Sequence, residues 1–245
     1  MPVRRGYRQA CGIARGLDLV GERWSLLIVR ELLLGPKRFT DLRAGLPGVS
    51  PNALADRLAE LTQAGVLRHR QLPPPAGSWI YELTDWGRKL EPIVLALGTW
   101  ALGAPPRQDQ SFVSADSLML TIRTYYAGTT GTHPSAAPAT LAVRLRDGIG
   151  NRAFGVWLHS DTAQVSHELP GQPDATITTD ITTLLDVLAD PARLATMPEG
   201  RMTIDGDPGV VHRLAAGLMV PEPEPAIARD TRPVRPENHG TERAG

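Results

Sequence analysis

The sequence predicts two domains. The first is N-terminal, mostly α, and closes with a β-hairpin; the second is an α+β domain in which an antiparallel sheet is packed with helices. Three observations carry this. Residues 39–87, FTDLRAGLPGVSPNALADRLAELTQAGVL…IYELTDWG, hold two amphipathic stretches followed by two strand-like runs. GAPPRQDQ at 103–110 then breaks the pattern with two prolines and several polar residues. Beyond it the apolar period changes from helical to alternating.

Taken in chain order, a first helix closes at Gly21 with Leu17 and Val20 near its end. A second runs from Trp24 to Leu34 and is apolar nearly all round, so it is expected to be buried; Gly35-Pro36 stops it. RFTDLRAGL is a shorter amphipathic helix, ended by Pro47-Gly48. Ser50-Pro51 then starts another, because a hydroxyl can accept an orphan N–H and proline needs no intrahelical donor in the first turn. Leu54, Leu58 and Leu61 follow on one face, and Gly65 supplies the end. Two short helices with a tight connection make a helix-turn-helix, whose second member enters a major groove. Val66–Leu72 and Ser78–Leu83 read as strands around the turn Pro73–Gly77, so the hairpin is a wing and the domain a winged helix. Thr84 can cap a long last helix through Leu90, Ile93, Val94, Leu97 and Trp100, bent at Pro92.

The winged domain is bounded at 1–104 and a linker at 105–112. The second domain, 113–220, opens with a helix at 115–126. Period-two runs at 141–146, 153–159, 163–169 and 175–180 are separated by turn residues and predict an antiparallel meander. ITTLLDVLAD and PARLATM read as short helices, RMTID as a last strand, and PGVVHRLAAGL as a last helix. Residues 221–245 hold five prolines and few apolar residues, so they are expected to be disordered.

Over 245 residues the formal net charge is zero. It is not evenly spread. Residues 1–104 carry 14 Lys/Arg and 9 Asp/Glu (+5), 105–220 carry 8 and 12 (−4), and 221–245 carry 4 and 5 (−1). The basic excess falls on the half with the helix-turn-helix pattern, as contact with phosphates requires. No apolar run approaches the roughly 20 residues of a membrane span, and MPVRRGYRQACG lacks the apolar stretch of a secretory signal. A single cysteine and these absences point to a cytoplasmic protein with no membrane partner. The six histidines show no zinc-ligand spacing, and no phosphate loop or nucleophile elbow appears. No metal, cofactor or enzymatic activity is expected.

Double-stranded DNA is the expected partner. With Leu54 facing the core, Asn52, Asp56, Ala59 and Gln63 fall on the opposite side of their helix. Asn52 lies in the first turn, where an asparagine can pair with adenine, and Ser50 and Pro51 head a helix whose free N–H groups suit a phosphate. Lys37, Arg38 and Arg43 flank the preceding helix, as backbone contacts would. Arg57 is either a phosphate contact or an internal ion-pair partner. Arg68 and Arg70 share one face of the wing. Leu17, Leu90, Ile93, Val94, Leu97 and Trp100 form apolar stripes that either join two copies or pack within one. Arg8 and Arg15 sit at i−3 and i+4 from Cys11 and would activate its thiol if the segment is helical; otherwise Cys11 is a small buried interface residue.

CGIARGLDLVGERWSLLIVRELLLGPKRF, LPGVSPNALADRLAELTQAGVL and YELTDWGRKLEPI together resemble the HxlR-type family of bacterial winged-helix transcriptional regulators, over roughly residues 10–103. The resemblance implies a homodimer, joined through the first and last helices of the domain, on an inverted-repeat operator. It also implies a sensor cysteine at the position of Cys11, although many members have proline next and this chain has Gly12. Residues 113–220, above all GRMTIDGDPGVVHRLAAGL, are similar to the sterol carrier protein type-2-like fold. That similarity implies an apolar cavity for a small hydrophobic effector, with Leu118, Leu120, Ile122, Val143, Val156, Leu158, Leu184, Leu188 and Leu218 as wall or as simple core. A carrier of hydrophobic ligands, using the winged helix for dimerisation or protein docking, is the alternative to a regulator.

Overall fold

The computed structural model describes residues 6–102, 112–128, 137–147 and 150–219. Most of the expected linker, and the expected disordered tail at 221–245, lie outside the described residues.

Four helices come first: α1 (Gly12–Val20), α2 (Ser25–Leu32), α3 (Phe39–Gly45) and α4 (Pro51–Gln63). The hairpin follows as β1 (Leu67–Gln71) antiparallel to β2 (Trp79–Leu83). Ile28, Val29 and Leu32 of α2 are buried against Leu42, Leu54, Leu58 and Leu61, but Leu27 is exposed, so α2 is central without being buried all round. The long last helix is two helices, α5 (Asp85–Arg88) and α6 (Glu91–Leu102). Pro92 does not bend a helix; it stands in the first turn of α6, where its missing N–H has no intrahelical bond to lose.

The second domain begins with α7 (Ala115–Tyr125), continues through β3 (Ala139–Asp147), β4 (Gly150–Leu158), β5 (Ala163–Ser166) and β6 (Ala175–Asp180), then α8 (Ile181–Ala189), α9 (Arg193–Thr196), β7 (Thr203–Gly206) and α10 (Pro208–Ala216). The sheet order is β5-β4-β3-β6-β7. It is mixed, which corrects the antiparallel expectation. Segment 167–174 carries the chain from the β5 edge past β4 and β3, so β6 enters beside β3 in parallel register, Val143 opposite Ile177. α7, α8 and α10 cover one face, where Leu141, Val143, Leu145 and Ile177 lie in the core. Asp180 and Asp207 cap α8 and α10, accepting from the N–H groups of Thr183 and Gly209 at 2.8 Å each.

A buried ionic cluster joins the two domains. Lys37 Nζ lies 2.7 Å from Glu31 Oε2 and 2.7 Å from Asp116 Oδ2, with all three side chains at most 3% exposed. Arg30 adds a 2.8 Å bond to Glu31 Oε1. The Ser114 hydroxyl, which caps α7 by accepting from Ser117 N–H at 3.1 Å, donates to the same Glu31 oxygen at 2.6 Å. His167 Nε2 meets Asp116 Oδ1 at 3.0 Å while its ring packs on Phe154. Burial pushes the Asp116 carboxyl up, but the His167 bond and the Lys37 charge outweigh it and hold the group below its ordinary value. Gly45 makes room for this cluster: a Cβ there would come within 2.4 Å of Glu31 Oε2.

Removing the cation is expected to leave the buried Glu31 with Arg30 and Ser114, and the buried Asp116 with His167 alone among the described residues. Lys37→Ala should lower stability by about 3–5 kcal/mol, against roughly 0.5 kcal/mol or less for Arg43→Ala on the surface, as read by urea denaturation.

Candidate nucleic-acid interface

α4 is built as its sequence dictates. Ser50 is extended and its Oγ accepts from Ala53 N–H at 3.2 Å, Pro51 occupies the first turn, and Leu54, Leu58 and Leu61 are fully buried. The opposite side, Asn52, Ala55, Asp56, Ala59 and Gln63, is exposed. Arg57 is half-buried and pairs with Glu60 one turn on, which is the ion-pair alternative of its two readings. α3 presents Arg38 at its head and Arg43 in its last turn, both exposed; Asp41 fixes the entry by accepting from Arg38 N–H at 3.3 Å.

Three expected phosphate contacts change in the structure. Lys37 is not a surface cation at all, since Glu31 and Asp116 enclose its ammonium. Arg68 and Arg70 do share a face of the wing, but both close on Glu82 opposite, Arg70 Nε at 2.5 Å from Oε1 and Nη2 at 3.2 Å from Oε2. The Arg70 hydrogen bond, opposed by desolvation and joined by Arg68, keeps the Glu82 carboxyl below its ordinary value. Two guanidinium groups with one carboxylate leave the pair with a single net positive charge. Periodicity placed the arginines on their face; it could not show that register sets Glu82 directly across from Arg68.

The other wing face carries a feature that residue-by-residue reading missed. His69 stacks on Tyr81 with centroids 4.3 Å apart and lies 4.7 Å from Trp79, which is 54% exposed. The alternation of Trp79 and Tyr81 was the available signal. Main-chain bonds tie this strand to the helix-turn-helix, because Lys37 and Tyr81 exchange N–H···O bonds of 3.0 and 2.8 Å.

Cys11 is exposed and stands just before α1 begins at Gly12. Arg8 lies upstream of the helix with φ of 53°, so the helical i−3 neighbour expected for the thiol is not formed, and Cys11 is not buried within the chain. Of the apolar stripe, Leu90 and Val94 are half-buried and pack against the first domain's own core, the intramolecular alternative of their two readings. Leu17, Ile93, Leu97 and Trp100 are exposed, together with Ile13. Of the expected cavity wall, Leu118, Ile122, Val143, Val156, Leu158 and Leu184 belong to one packed cluster with Leu188 and Leu218 against it, and Leu120 is also buried.

The HxlR-like helix-turn-helix family model matches residues 19–109. YvaP, an HTH-type transcriptional regulator of Bacillus subtilis (strain 168), is 38% identical over 87 residues, which are 36% of this chain and 81% of YvaP. The chain belongs to the HxlR-like helix-turn-helix family. A second HxlR-like comparison is YodB, an HTH-type transcriptional regulator of the same organism, 37% identical over 84 residues, 34% of this chain and 75% of YodB. Among solved structures, the redox regulator HypR in its oxidized form is 29% identical and aligns over 40% of this chain and all of its own, with a TM-score of 0.38. The family match ends at 109, so the second domain of this HxlR-like chain lies beyond it.

The cap and the exposed turn beside it should separate cleanly in stability measurements. Ser50→Ala is expected to cost roughly 0.5–2 kcal/mol, while Asn52→Ala stays within about 0.5 kcal/mol, both by urea denaturation.

Proposed function

We propose that this HxlR-like chain is a sequence-specific, DNA-binding transcriptional regulator that grips an inverted-repeat operator as a homodimer. The observation that carries the reading is the head of α4. It leaves Ser50 and Asn52 exposed in the first turn, at the positive end of the helix dipole, on a helix whose other face is locked into the core. Such an end suits a phosphate, and the asparagine beside it suits an adenine edge. Asp56, about one turn further in, disfavours a helix laid flat on phosphates, so the N-terminus leads. Arg38 and Arg43 supply the backbone contacts, and the wing contributes mainly through its Trp79 face, because Glu82 takes up part of the charge of Arg68 and Arg70.

Dimerisation is supported by apolar side chains left uncovered on α1 and α6: Ile13 and Trp100 are each 77% exposed and Ile93 is 55%. An apolar groove of about 220 Å³ runs between these helices, lined by Gly16, Leu19, Leu90 and Ile93 among others. Cys11 stands at the head of α1 beside this face, so its alkylation or oxidation acts, in this reading, on the subunit contact. The sterol-carrier resemblance of the second domain rests on its closing strand-Gly-Asp-helix segment, β7 into α10. Its helix-covered face is packed with side chains, which favours a regulator over a carrier of hydrophobic cargo.

Fluorescence anisotropy with DNA from upstream of the chain's own gene tests the recognition. Asn52→Ala should lower operator affinity by roughly 1–3 kcal/mol and leave random DNA nearly unaffected. Arg38→Ala should weaken both and reduce the salt slope by about one unit. Equal losses on operator and random DNA for Asn52→Ala would refute base reading.

Light scattering at micromolar concentration is expected to give a dimer, and Trp100→Glu with Ile93→Glu a monomer. A monomeric wild type would refute the subunit contact.

A further inference from the structure

The helix-free face of the second domain's sheet holds a groove unlike the apolar cavity expected on the other side. It encloses about 530 Å³, within the range of small-molecule sites. Its floor is β3, β6 and β7, with the small side chain of Ala142 and the hydroxyl of Thr176, and its roof is the crossover segment 169–173. The roof is anchored at both ends. Asp174 accepts from Thr140 N–H and Oγ at 2.7 and 2.9 Å, and His167 is held by Asp116. The segment lies directly on the sheet at Gly155, where a Cβ would meet Glu168 O at 2.2 Å.

Arg144 and Asp205 both line this groove, and among the described residues neither has an ion-pair partner. Arg144 faces Thr178, whereas Asp205 faces Thr176, so they stand two strands across and two residues along. With standard spacings that puts them about 12 Å apart, measured at the sheet. A guanidinium selects a carboxylate, and a carboxylate selects a donor, best a cationic one. The two side chains reach the groove from separate strands without pairing with each other, so a ligand that bridges them carries its two charges on a chain rather than on one carbon.

We propose that this groove binds a small zwitterion of the ω-amino acid class, its carboxylate on Arg144 and its ammonium on Asp205, with Thr176 between. Occupancy pulls on a roof whose near end, His167, holds Asp116 and through it Lys37 at the root of the wing. That second step rests on the DNA-binding reading above; the binding step does not.

Calorimetry on the full-length chain tests the site with a length series of probes: glycine, 4-aminobutanoate, 5-aminopentanoate and 6-aminohexanoate. Butanoate and butylamine serve as single-charge controls. The longer zwitterions are expected to bind, glycine and both controls at least tenfold more weakly, and Arg144→Gln or Asp205→Asn should each lower affinity tenfold or more. No binding by any zwitterion, equal binding of the controls, or binding unchanged in both variants overturns the site. The best probe is then added to DNA titrations. A change in DNA affinity in the wild type that disappears in His167→Gln, while that variant still binds the probe, is the expected result. Probe binding without any effect on measurable DNA affinity overturns the coupling alone. A chain that binds the probe but no DNA overturns the regulator reading and leaves the site standing.

Discussion

Lys37 holds the molecule together at the point where its two domains meet. Its ammonium lies between Glu31 of the first domain and Asp116 of the second, and its backbone pairs with Tyr81 of the wing. Two residues later the first helix of the helix-turn-helix begins. A buried ion pair is weak evidence for added stability, because desolvation offsets the Coulombic gain. Its value is geometric. A carboxylate pair around one cation admits few arrangements, so it fixes α7 on α2 and the wing strand beside the loop that enters α3. Ser114 adds to the constraint by capping α7 and bonding Glu31 with a single hydroxyl.

From that fixed root, the electrostatics of the helix-turn-helix side are more restrained than a count of basic residues implies. The first domain's excess of +5 includes Lys37, which is buried, and Arg57, Arg68 and Arg70, which each have a carboxylate partner. Arg38, Arg43 and the head of α4 are the exposed positive features that remain on the helix-turn-helix. In the proposed DNA complex, a modest field of this kind would give weak nonspecific attraction and leave a larger share of affinity to groove-edge contacts. The exposed aromatic face of the wing extends the same logic, offering surface and shape where charge is already paired.

The parts that could be read from sequence are those decided within one or two helical turns. Ser50-Pro51 and the Leu54, Leu58, Leu61 stripe define α4 almost to the residue, and the hairpin bounds are within a residue or two. What escaped depends on distant neighbours. Glu31 looks like any polar residue at a helix end until Lys37 and Asp116 arrive from elsewhere. Arg68 and Arg70 look like phosphate ligands until cross-strand register sets Glu82 opposite. The parallel entry of β6 is a matter of which edge segment 167–174 returns to, and alternation within a strand says nothing of that. Leu90 and Val94 share a stripe with Leu97 and Trp100, yet only the first two meet a core, because α6 leaves the domain as it proceeds.

The second domain, through Asp116 and Lys37, sets the position of the wing root. Hydrogen–deuterium exchange at the paired amides of Lys37 and Tyr81, compared between the wild type and Asp116→Asn, tests it most directly. Faster exchange at both amides in the variant, with the buried amides of α4 unchanged, is the predicted result. Unaltered exchange at Lys37 and Tyr81 would contradict the account, since the wing root would then be held without any help from the second domain.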